Sequence, residues 1–176
     1  MKKQKSPVAE LAMRIIKSEV LKEPFEITNE IKHCEELQIE AGCYISVHTQ
    51  NGELRAFHGT QHPTEESLYY EVIRNAKNTV NHDAHYKPIS AHELENILIA
   101  VDVLGVPYRI NDLAELDPIH KGIIISHGGK KAILLPNAKG IETPGQQLEA
   151  AKQKAGLEYV ENSELQISIF TSTRFE

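Results

Sequence analysis

Residues 43–58, CYISVHTQNGELRAFH, alternate apolar and polar side chains on both sides of an Asn-Gly pair, and no other stretch constrains the fold as strongly. Period-two alternation marks a half-buried strand. Asn51-Gly52 between two such runs predicts an antiparallel hairpin with a two-residue turn and positive φ at both turn residues. In that register Gln50 opposes Glu53, His48 opposes Arg55, Val47 opposes Ala56, Ser46 opposes Phe57, Ile45 opposes His58 and Cys43 opposes Thr60. Ile45, Val47, Leu54 and Ala56, with Cys43 and His58, then share the core face, while Ser46, His48, Arg55 and Phe57 share the other. A slip of one residue would exchange the two faces.

A second hairpin is predicted where Gly122 to His127 and Lys130 to Leu135 flank Gly128-Gly129. Helices punctuate the strands. Ser6-Pro7 opens one whose apolar positions Val8, Leu11, Ala12 and Ile15 run to Lys22-Glu23-Pro24. Thr64 caps a second, with Glu65 and Glu66 in its first turn, Leu68, Val72, Ile73, Ala76 and Val80 on one face, and an end near Asn81. Ser90 and Glu93 form a capping-box pattern for a short third, and Thr143-Pro144 to Gly156 marks a fourth. Residues 26–40 read as an irregular segment with a helical turn or two, Ile97 to Leu104 as a buried central strand, and Leu165 to Phe175 as one closing strand. Hairpins with intervening helices and no regular βαβ alternation define an α+β fold on a mixed or antiparallel sheet. No linker divides the chain, so residues 1–176 are expected to be a single domain. A small parallel α/β domain is the runner-up, which the two tight hairpins disfavour.

Composition narrows the function classes. A chain of 176 residues buries about two thirds of its unfolded surface and needs no disulfide framework. Cys34 and Cys43 lie in no C-x-x-C pattern, which suits reduced thiols. Nineteen basic against 25 acidic side chains give a net charge of -6, with the lysines scattered, so nucleic acid is not the expected partner. No apolar run is long enough to span a bilayer, and no apolar segment follows the lysine-rich start. A soluble, cytoplasmic protein without a membrane partner is expected.

Four blocks then point to a family. "GCYISVHTQNGELRAFHGT" resembles the AMMECR domain signature, which typically reads Gly-Cys-Phe-Val-Thr followed by Gly-Glu-Leu-Arg-Gly-Cys-Ile-Gly. "HDAHYKPISAHELENILIAVDVLG", "KGIIISHGGKKAILLP" and "KAGL" resemble later family blocks in the same order. The resemblance covers roughly residues 40–176. It implies one α+β unit of two unequal subdomains, the larger shared by the N-terminal and C-terminal parts, and a cleft around the Leu-Arg-Gly-Cys-Ile-Gly segment. It also implies an association with Memo-like and radical SAM proteins. Leu54, Arg55 and Gly59 match that segment, whereas Ala56, Phe57 and His58 do not. Phe57 stands where the family has its cysteine, which excludes a thiol mechanism at that position; the resemblance then implies either a divergent member with altered chemistry or one that only binds.

Weighed residue by residue, the first ligand-binding candidate is Arg55, whose guanidinium fork suits a carboxylate or phosphate. A surface arginine salt-bridged to a glutamate is the plainer account. Phe57, His48, Gly59 and Asp102 are the further ligand-binding candidates, lining the expected cleft with Arg55. Asp102 interrupts an apolar strand, and a carboxylate there must face water, meet a cation or sit in a cleft. Nine histidines call for a metal check. His58 and His62 do not ride one helix, and His82, Asp83 and His85 form the alternative metal set, with solvated loop histidines as the plainer account. Cys43 reads as an inert core thiol. The sequence leaves the cofactor unknown. The expected function is binding of a small anionic or nucleotide-like ligand, or a partner peptide, in a cleft at Leu54–Gly59. The alternatives are a component of a radical SAM/Memo-associated modification system, with histidine chemistry replacing the thiol, and an interaction module without pocket chemistry.

Overall fold

A computed structural model describes residues 6–81 and 87–176. The chain forms two compact units, Met1–Leu104 with Thr173–Glu176 and Gly105–Ser172. The larger unit therefore takes both ends of the chain, as the family resemblance implies.

The first unit is built on a sheet of order β2-β1-β3-β8, from β1 (Cys43–Thr49), β2 (Leu54–Gly59), β3 (Ile97–Leu104) and β8 (Ser172–Phe175). β1 is antiparallel to both β2 and β3. Helices α1 (Pro7–Leu21) and α3 (Leu68–Asn81) share one core with the face carrying Cys43, Ile45, Val47, Ala56, Ile97, Ile99, Val101 and Val103. α1 begins as its sequence dictates: Ser6 Oγ accepts from the Ala9 amide at 3.1 Å and Pro7 fills the first turn, where no amide is needed. The segment before β1 contributes a helical turn, α2 (Asn29–Lys32), and a 3-10 turn, Glu35–Gln38, which bury Ile31 and Leu37 completely.

The second unit has a sheet of order β4-β7-β5-β6, from β4 (Tyr108–Ile110), β5 (Gly122–His127), β6 (Lys130–Leu134) and β7 (Gln166–Phe170), with every pair antiparallel. α4 (Pro144–Ala155) packs Leu148 and Ala151 against Ile123, Ile125, Ile167 and Ile169. A reciprocal cap at Thr143 and Gln146 and a left-handed Gly156 bound the helix, as expected from sequence. The α+β class holds, with antiparallel pairing.

Four expectations are corrected. The first hairpin turns through three residues, not two: the Thr49 amide donates to Glu53 O at 2.9 Å, and of the turn residues Gly52 has positive φ whereas Asn51 does not. His48 therefore opposes Leu54, and a bulge at Arg55 restores the expected register from Val47–Ala56 outward. The same shift moves Leu54 off the core face, where it is 42% exposed. α3 starts at Leu68, four residues beyond the Thr64 cap site, because the backbone around Thr64 is held by the Glu71 side chain instead. Finally, the closing strand is two strands that break at Thr171 and join different sheets, and β4 had no sequence signal of its own.

Candidate functional site

Arg55 bulges out of β2, and its guanidinium makes four hydrogen bonds. Nε donates to Glu93 Oε1 at 2.6 Å and Nη2 to Glu93 Oε2 at 3.2 Å, while Nη1 and Nη2 reach the Lys87 and Pro88 carbonyls at 3.0 and 3.3 Å. Glu93 also accepts from the Ser90 amide at 2.8 Å and from Ser90 Oγ at 2.6 Å, at the 3-10 turn Ala91–Glu93. The Arg55 hydrogen bonds, opposed by burial and helped by Ser90, hold the Glu93 carboxyl at about 2. Arg55 thus fastens the edge strand to the segment before β3. We expect Arg55→Ala to cost about 1.5–3 kcal/mol at neutral pH, through lost charge-assisted bonds. Because the folded Glu93 carboxyl lies below its ordinary value of 4.5, this stability is present above that value and disappears as pH falls through about 2. Urea melts across the acid range should therefore show the gap between wild type and variant closing; a gap of constant size would refute the pairing.

Phe57 stacks on Tyr44, with ring centroids 4.9 Å apart and planes 14° from parallel. Gly59 lies opposite Tyr44 across the β1–β2 ladder. A Cβ there would sit 2.3 Å from the Cys43 carbonyl oxygen, so glycine permits the strands to meet. Cys43 is fully buried and its thiol is pushed up to about 12, mainly by burial, which keeps it unreactive. His82, Asp83 and His85 lie outside the described residues, among which no cluster of three metal-ligating side chains occurs.

The polar face of the sheet carries the remaining candidates. Tyr44, Ser46 and His48 of β1 alternate on it opposite Asp102, Ala100 and Leu98 of β3. Asp102 is 3% exposed and meets the cation its strand position demands, Arg174 of β8, with Oδ2 3.1 Å from Nη1. Burial lifts the Asp102 carboxyl above its ordinary range, and Arg174 offsets this only in part. Arg174 Nε donates to Glu176 Oε1 at 3.1 Å. Burial, then the nearby Arg174 charge, lowers the His48 imidazole, which favours its neutral form. Ser46, His48 and Asp102 share the face without forming a catalytic relay, since Asp102 bonds Arg174 while Ser46 Oγ and His48 Nε2 are buried and lack partners among the described residues.

Beside these residues lies a cavity of about 270 Å³, lined by the apolar residues Ala9, Met13, Leu98, Ile99 and Ala100, by Gly52, and by His48, Arg174 and Glu176. Of the sequence candidates it takes in His48, with Asp102 one bond behind Arg174. Arg55, Phe57 and Gly59 are not among its lining residues. Arg174 was missed because an isolated arginine in an alternating strand looks like a surface residue; the demand of Asp102 for a cation was the one signal toward it.

Two four-stranded antiparallel sheets, each with its helical cover, define an α+β fold. Residues 9–175 match the AMMECR1 family, and the chain belongs to that family. A protein of Thermotoga maritima is 33% identical over 174 residues, covering 97% of both chains. Another, from Clostridium acetobutylicum, is 33% identical over 163 residues, 89% of this chain and 33% of its own length. The crystal structure of the uncharacterized protein PH0010 from Pyrococcus horikoshii has the same fold, with a TM-score of 0.82 at 20% identity, over 96% of this chain and 89% of that one.

Proposed function

We propose that this AMMECR1 domain binds a small anionic ligand with an apolar body, in the cavity beside the hairpin whose return strand is Leu54–Gly59. The observation that carries this reading is the joining of an apolar pocket to one guanidinium, Arg174, which is 42% exposed and held from behind by the buried Asp102. An arginine so oriented reaches an anion without paying again for its own alignment. Arg55, by contrast, already spends its fork on Glu93 and two carbonyls. A neutral His48 adds to the cavity wall without adding charge.

Calorimetric titration with benzoate tests the reading. Wild type should bind. Leu98→Trp, which fills the cavity from a position that is 50% exposed, and Arg174→Lys, which loses the fork, should each weaken binding at least about tenfold. Undiminished binding by Leu98→Trp would sink the cavity as the site. Weakening confined to Arg55→Ala would move the ligand to the Leu54–Gly59 segment itself.

A further inference from the structure

We propose that the charged group of the ligand is a carboxylate, and that it binds by taking the place of the Glu176 side chain on Arg174, so that Glu176 is a competitor built into the site. This rests on the reading that the cavity is a ligand site. Two carboxylates already flank the one guanidinium: Asp102 Oδ2 is 3.1 Å from Nη1, and Glu176 Oε1 is 3.1 Å from Nε. Arg174 thus has Nη1 taken by Asp102 and Nε by Glu176, so a third carboxylate reaches the Nε edge by displacing the Glu176 side chain. An exchange leaves the charge unchanged.

Which carboxylate leaves is decided by burial. The Asp102 side chain is 4% exposed, and stripping its cation would strand a buried charge. Glu176 is 54% exposed and lines the cavity, so water can receive its carboxylate when the ligand arrives. The backbone need not follow, because the Glu176 main-chain oxygen accepts separately from the Ser6 amide at 3.0 Å. The class of anion follows from the same contact: the Nε edge already accommodates a planar carboxylate oxygen at hydrogen-bond distance, next to an apolar pocket that offers a phosphate's other oxygens few donors.

The experiment compares wild type with Glu176→Gln, a substitution that keeps side-chain size at an exposed position, using benzoate and inorganic phosphate as probes in calorimetric titrations. Removing an exposed competing pair should tighten benzoate about fivefold and leave phosphate without comparable affinity. Equal benzoate affinity for the two proteins overturns the competitor while leaving the site standing. A matching gain for phosphate overturns the carboxylate class. Benzoate binding by neither protein overturns the cavity reading, and this inference with it.

Discussion

Glu71→Ala should lower stability by about 3–5 kcal/mol in urea denaturation, although no sequence pattern marks Glu71 as more than a surface glutamate on α3. Its side chain is fully buried. It accepts from the Thr64 amide at 2.7 Å, the Glu65 amide at 2.9 Å, and the Thr60 and Thr64 hydroxyls. Asn75 continues the network, donating to Thr60 Oγ1 at 3.0 Å and to the Cys43 carbonyl at 3.2 Å. Removing the carboxylate orphans two backbone amides and opens a space in the core. Burial alone would raise the Glu71 carboxyl, but the Thr60, Thr64 and Glu65 hydrogen bonds outweigh it and the net shift is downward. The stability it confers is therefore present above its ordinary value of 4.5 and is lost as pH falls below it. Glu71→Gln should cost about half as much, since an amide keeps one acceptor. Wild-type stability in Glu71→Ala would mean that this network does not hold the 60–65 loop to α3.

Gly59→Ala should be comparably severe, at about 3 kcal/mol or more, and for a different reason. The added Cβ would sit 2.3 Å from the Cys43 carbonyl oxygen and 2.6 Å from Tyr44 Cα, and both obstacles are backbone that no rotamer change can clear. β1 and β2 would have to part at the end of their ladder. Gly52 is the control: its φ of 79° makes alanine strained there, but no atom lies within 4 Å of the added Cβ, so Gly52→Ala should cost about 1 kcal/mol. Equal costs for the two substitutions in thermal melts would show that backbone conformation, not strand contact, explains both glycines.

The candidate site was half legible. His48 was identified because strand alternation puts it on the polar face, and Asp102 because a carboxylate interrupts an apolar strand; the two share one face of the sheet. Arg55 was singled out as a binding fork, and its Glu93 partner lies 38 residues away, at a capping pattern read only as a helix start. The row Glu71, Asn75 and Thr79 runs at i+4 spacing beside the apolar row Leu68, Val72, Ala76 and Val80, and all three are buried. Periodicity shows only that such a row exists. Whether it faces water depends on what packs against it.

The sequence by itself determined the hairpins, the capped ends of α1 and α4, the central place of β3 and with these the α+β class, because turn residues, caps and side-chain period act within a few positions. The tertiary structure alone decided the bulge at Arg55, the break at Thr171 and the Asp102–Arg174 pair, whose members lie 72 residues apart. Each of these is a choice among distant partners, settled by which groups can be desolvated together, and nothing local to either partner encodes it.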